Sequence, residues 1–402
     1  MQSSIVSDPP PSVRSSDAQG PLIVFAGGGS GGHLFPGLAI AERIRELCPE
    51  AEVLFLCSER RIDSSILSKA NETFTPIGAQ PLLWRPFPKG IGGFILGWRR
   101  AVMQTRVALR EWDAPHRSTV MALMGGFVAA PAARAARSLG LSSILLNLDV
   151  VPGKANRLAA RYASRIVSAV PCPHHPRFCE TVVGMPIRRR AVAAESRGQC
   201  RRNLDLDPDR LTLLVTGASQ GATTFNRLLI DLVASRPRDF DRWQILHLTG
   251  EGDFEEVLAA YTSAGVRAAV RPFLAEMAWA WGAADLALSR CGASSVAEAI
   301  ANRVPTLFSP YPWHRDQHQR LNALEWVEAG MAWLAEDQIV PAENLASLGQ
   351  ELLDLMAHDE ARQMARSMLE SHPPPDGALT LARLLLDEAV NSIAAPPARR
   401  PG

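Results

Sequence analysis

Residues 27 to 36 read GGGSGGHLFP, with glycine at five of the first six positions and a histidine directly after them. Glycine permits close approaches and backbone conformations that a Cβ forbids, at an entropic cost that a plain connection has no reason to bear. The apolar run Leu22-Ile23-Val24-Phe25 before the loop and a helix-like stretch after it place it between a strand and a helix. Backbone N–H groups at such a helix start hold phosphates or sugar hydroxyls, which makes Ser30, Gly31 and Gly32 candidate binding residues. His33 follows where the helix begins. An imidazole titrating near neutrality can take a proton from an attacking hydroxyl, or it can brace the loop through hydrogen bonds.

Three further loops carry polar groups. In GASQGATTFN (217–226), Ser219, Gln220 and Gly221 offer a hydroxyl and N–H groups suited to a diphosphate. In SRCGASSVAE (289–298), the small residues Ala293, Ser294, Ser295, Val296 and Ala297 open a helix. Glu298 sits one turn inside it, where a carboxylate can accept both hydroxyls of a ribose or can simply face water. YPWHRDQHQRLNA (311–323) packs Asp316, Gln317, His318 and Gln319 together, a donor-and-acceptor mixture that suits sugar hydroxyls or a polar helix start.

Two other chemistries fit less well. Gly27, Gly29 and Gly32 form a GxGxxG pattern, but a dinucleotide site wants an acidic ribose ligand about 20 residues on; Glu59 lies farther along, and His33 would have no role. No GK[ST] follows, which excludes a Walker loop. CPHHPRFC (172–179) spaces its cysteines too widely for a typical zinc site and is broken by prolines, so it reads as a loop and no metal is expected.

The elements that must position these loops are strands alternating with helices. Apolar runs at 22–26, 53–57, 119–124, 143–147 and 165–169, then 211–216, 243–248, 285–290 and 304–309, predict doubly wound parallel sheets of an α/β protein. The second half restarts the pattern of the first, with a glycine-bearing loop and a helix at 223–235. Two Rossmann-like domains facing across a cleft are the simplest architecture, with the ligand at the carboxyl ends of both sheets. The boundary is expected near Gly184-Met185-Pro186, and 342–357, 359–371 and 377–392 read as helices.

Composition narrows the partners. The 402 residues, 47% hydrophobic, suffice for two cores. Lys plus Arg (42) balances Asp plus Glu (41), so no basic field speaks for nucleic acid. The 6 scattered cysteines lack the density of a disulfide framework and point to a reducing compartment. The first 20 residues lack the apolar core of a signal peptide, and no run reaches the roughly 18 apolar residues that span a bilayer. LLWRPFPKGIGGFILGWRR (82–100) sets Trp84, Phe94 and Trp98 beside Arg99 and Arg100, as in an interfacial membrane contact or a core helix with a basic rim.

From about residue 21 to 390 the chain resembles the MurG family of peptidoglycan glycosyltransferases. The likeness rests on GGGSGGHLFPGLAIAERI, MGGFVAAPAARAARSLG, VPGKANRLAA, VVGMPIR, GASQGATTFN, SRCGASSVAEAI and YPWHRDQHQRLNA, in that order. The resemblance implies a GT-B fold and inverting transfer of N-acetylglucosamine from UDP-GlcNAc to the MurNAc 4-hydroxyl of undecaprenyl-linked lipid I, forming lipid II. It implies no metal or other cofactor, and peripheral attachment to the cytoplasmic face of the plasma membrane. The implied division is a tail at 1–20, an acceptor domain at 21–187, a UDP-sugar domain at 188–374, a helix at 375–392 returning to the first domain, and a tail at 393–402.

The resemblance also assigns roles. Ser30, Gly31 and Gly32 would lie against the donor sugar and diphosphate, with His33 the base and Gly125, Gly126 and Phe127 on the acceptor side. Arg188 and Ser219 would hold the diphosphate, Leu274 uracil, Ala293 to Ala297 the nucleotide, Glu298 ribose and Gln319 the GlcNAc hydroxyls. One motif departs: where the family carries His-Glu-Gln-Asn, this chain has Leu146, Asn147, Leu148 and Asp149. Asp149 can accept a hydrogen bond from the donor sugar but cannot donate one. Met185 also stands where Asn is usual. These changes leave room for another acceptor or nucleotide sugar, or for a weak or non-catalytic homologue.

Overall fold

A computed structural model describes residues 20–29, 31–80, 89–217, 221–313 and 317–394. The first half runs β1 (Leu22–Gly27), α1 (Gly31–Leu47), β2 (Glu52–Ser58), α2 (Arg61–Lys69), β3 (Phe74–Ile77), α3 (Lys89–Glu111), β4 (Thr119–Gly125), α4 (Gly126–Leu139), β5 (Ser142–Asn147), α5 (Lys154–Ala159) and β6 (Arg165–Ser168). The second runs α6 (Arg197–Asn203), β7 (Leu211–Thr216), α7 (Thr223–Ser235), β8 (Trp243–Leu248), α8 (Phe254–Ala264), β9 (Ala268–Arg271), α9 (Met277–Ala283), β10 (Leu286–Ser289), α10 (Ala293–Ala301), β11 (Thr306–Phe308), α11 (His318–Glu328) and β12 (Trp333–Leu334). Four helices close the chain: α12 (Pro341–Asn344), α13 (Gln350–Ala357), α14 (Asp359–Ser371) and α15 (Gly377–Ala394).

Each half builds a 6-stranded parallel sheet, ordered β3-β2-β1-β4-β5-β6 and β12-β11-β10-β7-β8-β9. Counted from its own first strand, the order is the same in both, with the chain reversing direction beside β1 and beside β7. Helices cover both faces, which explains why inner strands such as β1 and β4 are almost wholly apolar rather than alternating. In β1, Ile23 and Phe25 enter one core, with Phe25 stacked on Phe55 at 5.0 Å, while Leu22, Val24 and Ala26 enter the other.

The nine expected strands form, and three short ones, β3, β9 and β12, complete the sheets. β3 contains Pro76 and β9 reads Ala-Ala-Val-Arg, so neither shows an apolar run; both lie at sheet edges, where short strands and proline are tolerated. The helix expected at 342–357 is divided by a π-helical turn over Leu345–Gly349.

The chain crosses between the halves twice, and the crossings touch. A Cβ on Gly377 would lie 2.1 Å from the Gly184 carbonyl oxygen. Arg43 of α1 ties the second crossing through Asp376 at 2.6 Å. Helix α15 then packs on the first half: Leu381, Ala382 and Leu385 join its core, and Ser118 Oγ donates to the Ala389 carbonyl at 2.6 Å. Among the described residues no helix is long and apolar enough to cross a membrane.

Candidate functional site

The reversal of strand order beside β1 puts the loops after β1 and β4 together, and the loops after β7 and β10 do the same in the second half. Between them lies a cavity of about 420 Å³, lined by Gly31, Gly32, His33 and Asp149 from the first half and by Leu274, Ser294, Glu298 and His318 from the second. Sugar-nucleotide-sized ligands need such a volume, and the position obeys the rule that ligands bind where strand order reverses.

Both main-chain polar groups of Gly29 in the glycine loop are engaged. The Gly29 N–H donates to Asp63 Oδ2 at 2.7 Å, and Arg60 Nη1 donates to the Gly29 carbonyl at 2.8 Å. Gly29 has φ +93°, and a Cβ there would come within 2.5 Å of the Phe127 ring. Neither Asp63 nor Arg60 carries a sequence signal, because both act through backbone atoms of a loop more than 30 residues away.

His33, the third residue of α1, faces the cavity with Gly125 and Gly126 at its back. Gly126 has φ +71°; a Cβ there would stand 2.4 Å from the Gly28 carbonyl oxygen and 3.2 Å from His33 Nδ1. Burial lowers the His33 pKa, while the charges of Asp149 and Asp63 and a hydrogen bond to the Gly28 carbonyl pull it back up. The net direction is downward, which favours the neutral ring. A neutral imidazole whose N–H is engaged by a carbonyl presents its other nitrogen as a proton acceptor.

On the departing motif, Leu146 and Leu148 enter the core, and Leu148 also lines the cavity. Asn147 is buried: its Nδ2 donates to the Asp149 carbonyl at 2.6 Å and its Oδ1 accepts from Asn156 at 3.1 Å. Asp149 Oδ1 accepts from Asn322 Nδ2 of α11 at 3.2 Å, a link between the halves that sequence reasoning missed.

On the opposite wall, Glu298 accepts a hydrogen bond from Trp281 Nε1 at 2.9 Å, and burial pushes its pKa up to about 7 against that bond. Arg188 lines the cavity but is engaged by Glu42 of α1, to which Nε and Nη2 donate at 2.8 and 2.6 Å. Its buried Nη1 has no hydrogen-bond partner among the described residues.

Several expected residues sit elsewhere. Val296 turns into the core because it falls on the inward face of α10, and Ala297 does not line the cavity. Gln319 instead accepts the Tyr311 N–H at 2.9 Å, capping its own loop. Gly221 packs against the Thr249 backbone. Trp98 is not presented outward: α3 rotates it against the core beside Tyr162, 6.3 Å between rings. Ser30, Trp84, Ser219, Gln220 and Asp316 lie outside the described residues, as does the side chain of Phe94.

Two Rossmann-like halves meeting over one cavity define a GT-B glycosyltransferase. The N-terminal domain of glycosyltransferase family 28 matches residues 23–168 and its C-terminal domain matches 212–378. The chain is 32% identical to a UDP-N-acetylglucosamine--N-acetylmuramyl-(pentapeptide) pyrophosphoryl-undecaprenol N-acetylglucosamine transferase of Geobacter sulfurreducens, covering 92% of this chain and 98% of that protein. A transferase of the same description from Pelobacter propionicus is 33% identical over 91% and 98%. The chain belongs to glycosyltransferase family 28 and, within it, to the MurG transferases. Among solved structures, Acinetobacter baumannii MurG superposes with a TM-score of 0.67 at 23% identity, covering 91% of this chain and 99% of that one. A UDP-glucosyltransferase from Polygonum tinctorium gives 0.65 at 17%, covering 95% and 100%. Both show the shared fold.

Proposed function

We propose that this protein transfers N-acetylglucosamine from UDP-GlcNAc to the 4-hydroxyl of the MurNAc unit of undecaprenyl-linked lipid I, with inversion, to form lipid II. The observation that carries the reading is that His33 and Glu298, from different halves, line one cavity in a chain that a relative of that description matches over 92% of its length. Residues 21–187 serve the acceptor and 188–374 the donor, with 375–392 returning to the first half.

In this reading Glu298 accepts the ribose hydroxyls and Leu274 meets uracil. His33 removes the proton from the acceptor hydroxyl as its oxygen attacks the anomeric carbon. The bond to the diphosphate breaks on the opposite face, and UDP leaves with the electron pair. The N-terminal ends of α1 and α10, whose Gly31, Gly32, Gly292 and Ala293 line the cavity, place positive dipole ends there, and Arg188 adds a guanidinium partly compensated by Glu42. That charge is what a divalent cation supplies elsewhere, so transfer is expected to proceed in a chelator. For a lipid-linked acceptor, α3 offers Leu96, Met103 and Val107, all exposed, on one face with exposed Arg99 and Arg100. This face docks on the cytoplasmic surface of an anionic membrane.

Labelled UDP-GlcNAc and a lipid I analogue, incubated with the protein and EDTA, test the reading. Label on lipid I supports it. A second reading, transfer to another acceptor, draws on Asn147 and Asp149 standing where the family has Glu and Asn. It is favoured by UDP-GlcNAc binding and label on a different glycan without label on lipid I. Failure to bind UDP-GlcNAc contradicts both.

A further inference from the structure

Asp63 has no exposed surface and does not line the cavity. Its Oδ2 collects three donors: the Gly29 N–H at 2.7 Å, the Ser58 hydroxyl at 2.5 Å and the Ser58 N–H at 3.1 Å. Its Oδ1 is buried with no hydrogen-bond partner among the described residues. A buried carboxylate is costly to desolvate, and an apolar side chain would fill the same space without that cost. What a carboxylate adds here is a grip on the loop. Arg60, at the entry of α2, holds the carbonyl of the same Gly29 whose N–H Asp63 holds. Two residues three apart thus clamp both polar groups of Gly29, two positions before the first residue of α1. The fit is close enough that a Cβ on Gly28 would stand 2.4 Å from Asp63 Oδ2.

We propose that Asp63 is a positioning residue for glycosyl transfer, fixing the Gly29 peptide and through it the start of α1 and the His33 ring. The proposal rests on His33 as the base. Asp63 acts on His33 in a second way, since its negative charge favours the imidazolium that forms when the proton is taken. The charged groups around His33 are Asp63 of α2 and Asp149 of the loop after β5, with Arg60 at the entry of α2 bonded to the glycine loop; Arg188, Arg190, Glu298 and His318 line the same cavity. Both near carboxylates push the His33 pKa upward against burial.

The experiment uses the full chain and follows kcat and KM for UDP-GlcNAc from about pH 5 to about pH 9, spanning the usual histidine range. Asp63→Asn keeps an oxygen for the Gly29 and Ser58 donors but removes the charge. The acidic limb of its kcat profile is expected to move to lower pH, with KM within about twofold of the parent. Asp63→Ala removes the grip as well, and kcat is expected to fall about 100-fold with a similar KM. Arg60→Met releases the Gly29 carbonyl from the exposed side, without opening the core, and is expected to lower kcat about tenfold even if Asp63→Ala does not fold. An acidic limb unmoved in Asp63→Asn, while His33→Ala abolishes transfer, overturns the proposal and leaves the base in place. Unchanged kcat in Arg60→Met also overturns it. Transfer that survives His33→Ala overturns the base and, with it, this role for Asp63.

Discussion

Asn322 joins the two halves of the protein at Asp149. Its Nδ2 donates to Asp149 Oδ1 at 3.2 Å and to the Cys291 carbonyl at 3.2 Å, while its Oδ1 accepts the Val150 N–H at 3.2 Å. One side chain of α11 therefore ties the loop that departs from the family motif to the loop that opens α10. Through it, the Asp149 wall of the cavity is linked to the wall built around α10.

Truncating that tie leaves the Val150 N–H and the Cys291 carbonyl without it, and losing such partners costs about 1–3 kcal/mol. Asn322→Ala is expected to lower the thermal midpoint and to reduce kcat/KM for the acceptor about tenfold. Steady-state kinetics beside calorimetry checks this. Parent-like values in both measurements would mean that the tie carries no energy.

The pH dependence of donor binding follows from Glu298. Its pKa of about 7 in the unliganded protein means that the carboxylate, the form able to accept both ribose hydroxyls, is the minor species at pH 6 and the major one at pH 8. UDP-GlcNAc, whose own diphosphate does not titrate in this range, is expected to bind roughly an order of magnitude more tightly at pH 8 than at pH 6. Calorimetric titration at the two pH values measures it. Glu298→Gln should flatten the dependence; a slope that persists in that variant would assign it to another group.

Much of this was legible in the chain, and what was not has identifiable causes. The parallel sheets announced themselves because buried strands such as Leu22–Gly27 and Thr119–Gly125 are almost wholly apolar on both faces. β3 and β9 stayed hidden because edge strands need little apolar surface. The glycine loop and His33 stood out because so many glycines have few other uses. Asp63, Arg60 and Asn322 were invisible because each grips a distant main-chain atom, which leaves no spacing to read. Arg188 was legible as a cavity cation, but its pairing with Glu42 was not, since the two come together only when the crossing segment lies along α1.

Gly126 tests how tightly the base is placed. Alanine at φ +71° is strained, and its Cβ would strike the Gly28 carbonyl and press on His33 Nδ1. Gly126→Ala is expected to reduce kcat about 100-fold while the Kd for UDP-GlcNAc stays within about twofold, because the nucleotide wall belongs to the other sheet. Rapid-quench transfer alongside equilibrium binding separates the two. A parent-like kcat would show that the ring tolerates displacement.

The outer face of α3 gives a test of membrane docking. Leu96 and Met103 are each 69% exposed and Val107 47%. Replacing all three by Ser, and separately Arg99 and Arg100 by Gln, is expected to weaken sedimentation with vesicles containing anionic lipid while leaving UDP-GlcNAc binding unchanged. Trp98→Ser should instead destabilise the fold, since that ring packs inward beside Tyr162. Vesicle binding that survives both surface replacements would move the contact away from α3.

In the proposed mechanism His33 at the start of α1 takes the acceptor proton while the second half of the protein holds the nucleotide. Single-turnover transfer from UDP-GlcNAc to a lipid I analogue by His33→Ala, measured beside the variant's UDP-GlcNAc Kd, tests it most directly. The expected result is a rate lowered about 100-fold to 10,000-fold with the Kd within about twofold of the parent. A retained rate, or an equal loss in rate and affinity, would contradict it.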